Sequence, residues 1–172
     1  MLALEARRMG YRIGVLDPSE NCPASQVANF HVLASLNSAE AALKLAAEVD
    51  VVTLETELVP WEVLSEIERI KPVRPSPEVM RIVQDRLSQK EFIGLRGFPQ
   101  ARYAPVCDEE GLKKAHRTVD FPAILKSCRG GYDGRGQVRV EHGSELATAW
   151  NQIRNAPAVL ESLVPFRAEF SV

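Results

Sequence analysis

Between Lys126 and Val140 the chain reads KSCRGGYDGRGQVRV, and four of its ten glycines fall from Gly130 to Gly136. Lys126, Arg129 and Arg135 add positive charge to the same stretch. Glycine lets backbone amides approach an anion closely and basic side chains neutralise it, so the chemistry on offer is phosphate binding. A Walker-type loop would need G-x-x-x-x-G-K-[ST] running into a helix. Counting from Gly131 gives Gly136 and then Gln137, with neither the lysine nor the hydroxyl. A dinucleotide fingerprint fails as well, because Gly134-x-Gly136 lacks the third glycine. Gln137 to Val140 alternate at strand spacing, which leaves a glycine-rich hairpin between antiparallel strands. Such a hairpin reads either as a flap over phosphates or as an ordinary flexible turn, and the glycines alone leave both open.

Three further features bear on that choice. Lys126 ends an apolar strand, where an ammonium group must reach solvent or meet an anion. After the following helix, Val159 to Val164 (VLESLV) sets Glu161 and the backbone of Ser162, Leu163 and Val164 at a strand end. Main-chain groups so placed can read an adenine amino group and ring nitrogen. Glu169 follows at a distance suited to ribose hydroxyls. Lysine, glycine flap, hinge carboxylate and ribose carboxylate together outline an ATP site.

These residues need strands and helices to hold them. The first half has βαβ rhythm, which implies a parallel sheet. A helix over 1–9 stops at Gly10, and a strand over 11–16 closes at Asp17-Pro18, where Asp17 reads as a turn former. A short helix over 23–28 leads to a strand over 30–34. Asn37 with Glu40 reads as a capping box for a helix ending near Glu48. Val51 to Leu54 is a β-branched apolar run expected to be covered on both faces, and it runs into Glu55 and Glu57. Pro60 starts a helix with Trp61, Leu64 and Ile67 on one face. Three prolines in KPVRPSP mark a boundary, placing one domain at 1–77 and a second at 78–172. The second half reads as helices from Ser76-Pro77 and over 85–95, then a strand (102–106), a helix (108–117), a strand (123–127), the glycine loop and a strand (137–140). A helix over 144–153, capped by Ser144, and a strand over 159–162 follow. Trp61 and Trp150 read as helix core.

Composition narrows the function class. With 172 residues, 45% hydrophobic and 26% charged, the chain is long enough for a sizeable core. A net charge of −2 argues against a nucleic-acid partner, and no apolar run approaches the ~20 residues of a membrane helix. Cys22, Cys107 and Cys128 are odd in number and widely spaced, giving neither a zinc site nor a disulfide framework. His31, His116 and His142 lack metal spacing. A reducing cytoplasm is the expected location.

Four segments, LDPSENCPASQVA (16–28), DVVTLETELVP (50–60), VRPSPEVMRIVQDRLSQK (73–90) and LKSCRGGYDGRGQ (125–137), resemble the ATP-grasp superfamily. Within it they are most similar to the 5-(carboxyamino)imidazole ribonucleotide synthetases of purine biosynthesis. The resemblance implies an α/β fold: a Rossmann-like parallel-sheet pre-ATP-grasp domain, then part of an ATP-grasp domain with an antiparallel flap. Carried over, the nucleotide contacts would be Arg86, Lys126, the flap Gly131, Tyr132, Asp133, Gly134, Arg135, Gly136 and Gln137, the hinge Glu161, Ser162, Leu163 and Val164, and Glu169. Arg86 and Lys126 would hold phosphates and Glu169 the ribose. Glu55 and Glu57, with Tyr132 and Asp133, would lie toward 5-aminoimidazole ribonucleotide; Leu58 stands where the family has asparagine. The family's reaction uses ATP with Mg2+ to join bicarbonate to that substrate, releasing ADP and phosphate, and its members are often homodimers. The family's first strand and glycine loop would precede Met1, and its magnesium-binding Glu/Asn pair would follow Val172, so no metal ligand or catalytic residue is named within this stretch. Other readings are a sister ligase, such as a formate-dependent glycinamide ribonucleotide transformylase, or a non-catalytic nucleotide-binding module.

Overall fold

Val73 and Leu64 are wholly buried, and Ala42, Ala46, Val52, Val63, Ile67 and Met80 close around them as one apolar cluster. In the computed structural model, which describes residues 2–131, 136–168 and 170, this cluster is the core of a first unit, residues 1–83. Its elements are α1 (Leu2–Arg8), β1 (Gly14–Asp17), β2 (Phe30–Leu33), α2 (Ala39–Ala47), β3 (Val52–Thr53), α3 (Trp61–Glu68), β4 (Val73–Arg74) and α4 (Pro77–Val83). The parallel pairing expected from the βαβ rhythm is present as two pairs, β1 with β2 and β3 with β4. Gly14 leaves room for the Phe30 ring to cross β1: a Cβ there would lie 2.2 Å from that ring and force it aside.

Several local expectations are corrected in this unit. Residues 23–28 form successive turns, not a helix; the Ser25 hydroxyl donates to the Cys22 carbonyl at 2.7 Å and competes with helical bonding. Ser38, not Asn37, caps α2, its hydroxyl accepting from the Ala41 amide at 3.2 Å. Glu40 then sits too early in the helix to complete a capping box. β3 is two residues long and Val51 is 53% exposed, so this run is not covered on both faces. β4 is hidden from a sequence reading among the prolines of KPVRPSP, with the Pro72 carbonyl accepting from the Val52 amide at 2.9 Å. The unit boundary falls after Val83 instead of Pro77, because α4 buries Met80 in the first core.

The second unit, residues 84–172, holds α5 (Arg86–Leu95), β5 (Tyr103–Val106), α6 (Glu109–Thr118), β6 (Ala123–Ser127), β7 (Gln137–Val140), α7 (Leu146–Gln152) and β8 (Ala158–Ser162). Its strands form one antiparallel sheet in the order β5-β8-β6-β7, so the last strand is inserted between earlier ones. Alternation sorts the side chains onto two faces. Ala104, Val106, Ala123, Leu125, Val140, Ala158 and Leu160 turn to one face and pack with Ala115 and Val119 around α6, and with Leu146 and Ala149 of α7. Tyr103, Ile124, Lys126, Gln137 and Glu161 belong to the other face by the same register. Ser144 does not cap α7. It lies in a 3-10 turn over Gly143–Glu145, where the Glu145 carboxylate accepts from the Glu141 amide.

Leu160 is fully buried on β8, an inner strand of the sheet, so Leu160→Ala should cost about 2–5 kcal/mol. Trp61 lies in the first unit and Trp150 in the second. Urea unfolding followed by Trp150 fluorescence in a Trp61→Phe background should show the lowered midpoint of the second unit.

Candidate functional site

The face of the sheet opposite α6 and α7 carries charge. Lys126 pairs in register with Val159, and Ile124 with Glu161, so Lys126 and Glu161 are diagonal neighbours on one face. A long side chain spans that diagonal, and the Lys126 Nζ donates to the Glu161 carboxylate at 3.0 Å. The same oxygen lies 3.2 Å from the Nζ of Lys90 on α5. Glu161 is 9% exposed at its side chain, Lys90 15% and Lys126 22%. Tyr103 is the register partner of Glu161 on β5, and the Lys90 ammonium stands 5.7 Å from its ring centroid. The cluster has one carboxylate and two ammonium groups, so it carries a surplus positive charge at the foot of the glycine hairpin. Such a cluster favours an anion, and the anion need not displace the carboxylate from both cations.

The start of α5 is stitched to the end of β6. Asp85 caps the helix, one carboxylate oxygen accepting from the Leu87 and Ser88 amides at 3.1 Å each. Its other oxygen accepts from the Arg129 Nε at 3.2 Å. Asp85 is therefore paired with Arg129 and not with its neighbour Arg86. Arg86 instead donates from its backbone amide to the Cys128 carbonyl at 2.9 Å and from its Nε to the Ser127 carbonyl at 3.2 Å. Arg86 and Lys126 are thus brought to the two sides of the same strand end. Cys128 is buried there, and burial, reinforced by the Asp85 charge, pushes its thiol up to about 11.

Above this strand end the hairpin begins. Lys126 pairs with Gln137, and the Ser127 amide donates to the Gly136 carbonyl at 2.8 Å. Gly136 has φ +68°, and a Cβ on it would fall 2.5 Å from the Ser127 hydroxyl oxygen, so this turn needs glycine. Gly131 and Gln137 lie at the two feet of the loop. Tyr132, Asp133, Gly134 and Arg135 lie outside the described residues, as does Glu169.

The hinge is less bare than its sequence suggests. The Ser162 amide donates to the Arg102 carbonyl at 2.9 Å and the Leu163 amide to the Pro122 carbonyl at 3.0 Å. The Val164 carbonyl accepts from the Phe166 amide at 2.9 Å. The groups with no backbone partner among the described residues are the Leu163 carbonyl and the Val164 amide, one acceptor and one donor on adjacent residues. The Ser162 hydroxyl is buried without a partner among the described residues. The Glu161 side chain points away from this edge, toward the lysines.

In the first unit, Glu55, Thr56 and Glu57 follow β3 and, with Leu54, Pro75 and Met80, line a cleft of ≈ 250 Å³. The Leu2 amide donates to the Glu55 carboxylate and holds it below the usual carboxylate range. Leu58 is exposed, and its amide donates to the Thr56 hydroxyl at 3.2 Å. Among the described residues no three His, Cys, Asp or Glu side chains gather into a cation site, and no helix is long and apolar enough to cross a membrane.

Two domain families match the chain in series: the ribonucleotide synthetase pre-ATP-grasp domain over residues 1–84 and the ATP-grasp domain over residues 91–172. The chain therefore has the organisation of a pre-ATP-grasp domain followed by an ATP-grasp domain. It is 40% identical over its whole length to the N5-carboxyaminoimidazole ribonucleotide synthase of Brucella melitensis, covering 48% of that protein. With the Bacillus subtilis protein of the same name it shares 35% identity, covering 45%. The chain thus spans about half the length of the curated relatives it matches. A solved N5-carboxyaminoimidazole ribonucleotide synthetase in complex with ADP superposes with a TM-score of 0.90 at 36% identity, over 96% of this chain and 44% of that one. The Aspergillus clavatus enzyme, in complex with ADP and 5-aminoimidazole ribonucleotide, gives 0.86 at 29% identity over 96% and 44%. This kinship accounts for the pre-ATP-grasp and ATP-grasp architecture, including the antiparallel sheet with its glycine hairpin.

Sequence reasoning missed Lys90 and Tyr103. A signal for Lys90 was available, because it ends QDRLSQK one helical turn beyond Arg86 and so shares its face of α5.

The thiols give a direct check on this geometry. Cys107 is exposed and Cys128 buried. At pH 8 iodoacetamide should alkylate Cys107 first and leave Cys128 protonated and slow, as peptide mapping would report. Since the Cys128 thiol is raised from 9.0 to about 11, the folded state keeps a proton that the unfolded chain releases near pH 9. This group's contribution to stability is therefore intact below pH 9 and lost as the pH climbs toward 11.

Proposed function

We propose that this chain supplies nucleotide-holding parts of an ATP-dependent carbon–nitrogen ligase of purine biosynthesis. The reaction joins bicarbonate to the amine of 5-aminoimidazole ribonucleotide, giving 5-(carboxyamino)imidazole ribonucleotide, ADP and phosphate. The observation that carries this reading is the cationic cluster of Lys126 and Lys90 on Glu161 at the foot of the glycine hairpin, in a chain akin along its whole length to synthases of that name.

In this reading Arg86 and Lys126 hold the phosphates, and the amides freed by Gly131, Gly134 and Gly136 close over them. Tyr132, Asp133, Arg135 and Gln137 complete the flap. The Leu163 carbonyl and Val164 amide have the polarity to meet the adenine amino group and ring nitrogen, with Glu161 and Ser162 behind them in β8. Glu169 takes the ribose. The γ-phosphoryl group passes from ATP to a bicarbonate oxygen, and the β–γ bridging oxygen leaves with ADP. The ribonucleotide amine then attacks the carboxyl carbon of carboxyphosphate, or CO₂ released from it, as phosphate departs and the amine gives up a proton. Glu55 and Glu57, with Tyr132 and Asp133, are assigned to the ribonucleotide side. Magnesium would spread the phosphate charge when bound. Asp85 and Glu161 are already committed to cations, so the described residues do not fit a magnesium site. A homodimeric enzyme of the cytoplasm belongs to the same reading.

Isothermal titration should show ATP binding that weakens by about tenfold or more in Lys126→Ala, the loss of one charge-assisted contact. ADP formation should require bicarbonate and 5-aminoimidazole ribonucleotide together. Turnover driven by formate and glycinamide ribonucleotide would assign a sister ligase instead. An unchanged affinity in Lys126→Ala would remove the phosphate role on which the reading stands.

A further inference from the structure

We infer that Lys90 is a positioning residue: it keeps the buried Glu161 neutralised so that Lys126 can turn from Glu161 to a nucleotide phosphate. The inference rests on the nucleotide-site reading above and adds a division of labour between two lysines that sequence does not distinguish.

The geometry makes them unequal. Glu161 lies on β8, the strand flanked by β5 and β6, and one of its carboxylate oxygens meets both ammonium groups, at 3.2 Å from Lys90 and 3.0 Å from Lys126. The two lysines reach it from opposite sides of β8. Lys90 arrives over Tyr103, on the β5 side. Lys126 arrives from β6, the strand that runs into the glycine hairpin, and sits directly across from Gln137 at the hairpin's foot. An anion beside Gln137 is therefore within reach of Lys126 and on the far side of Glu161 from Lys90. If Lys126 alone balanced Glu161, moving it to a phosphate would strand a carboxylate that is 9% exposed, and a buried unpaired charge opposes binding. With Lys90 holding the same oxygen, Glu161 stays paired throughout. The cluster is balanced for occupancy: two cations for one carboxylate when empty, and one for each anionic group when a phosphate is present.

The test is ATP titration calorimetry on the wild-type chain and on Lys90→Met, Lys90→Gln, Lys90→Arg and the double variant Lys90→Met/Glu161→Gln, with thermal melting of each. Lys90→Met should bind about 10-fold or more weakly, because Lys126 is then locked to Glu161 as its sole counter-ion. Lys90→Arg, which keeps the charge, should bind within about 3-fold of wild type. The double variant, with no buried carboxylate left to neutralise, should recover to within about 3-fold as well, a rescue that general damage to the fold would not produce. Should Lys90→Met fail to fold, Lys90→Gln, which also removes the charge but keeps a polar side chain, carries the test and is expected to show the same weakening. Lys90→Met binding like wild type overturns the inference and leaves the nucleotide site standing. So does a double variant as weak as Lys90→Met, which would make Lys90 a direct phosphate contact. A wild-type chain that takes up no ATP overturns the nucleotide reading itself, and this inference with it.

Discussion

A carboxylate buried on the central strand of an antiparallel sheet has to be neutralised, and the second unit is arranged around that requirement. Glu161 is almost wholly shielded from water on β8, so two lysines come to it, one from the flanking strand β6 and one from α5. The pairing fixes which face of the sheet α5 covers, since Lys90 must lie over Tyr103 to reach the carboxylate. It also keeps a surplus of positive charge beside the glycine hairpin. The opposite face follows the ordinary rule, with Leu125, Leu160 and Val140 fully buried against α6 and α7. One face of the sheet is thus given to stability and the other to charge.

A second constraint concerns the hairpin's foot. Asp85 caps α5 with one oxygen and holds Arg129 with the other, while Arg86 bonds the carbonyls of Ser127 and Cys128. These contacts tie a helix start to a strand end across 44 residues of sequence. They fix the strand end that leads into the glycine-rich stretch.

The sequence made the outline of this site legible because its signals are local. Glycine spacing, the alternation of Gln137 to Val140 and the apolar strand before Lys126 each declare themselves within a few residues. They were enough to reject a Walker loop and to place a hairpin correctly. Local signals failed where neighbouring residues compete for one role. Ser38 took the cap from Asn37, Ser25 turned residues 23–28 into turns, and the 3-10 turn at Gly143–Glu145 displaced the cap expected at Ser144. β4 went unseen because two residues among prolines carry no periodicity, and only its pairing with β3 makes it a strand.

By itself, then, the sequence determined the order of elements, the glycine hairpin and the residue types that suit phosphate. It did so because capping, turn chemistry and strand alternation act over short stretches of chain. Tertiary structure alone decided the partners. Inserting β8 between β5 and β6 sets Glu161 diagonal to Lys126, and packing α5 on that face adds Lys90. Neither contact has a local signature, since each joins residues far apart in the chain through a register that only the folded sheet defines.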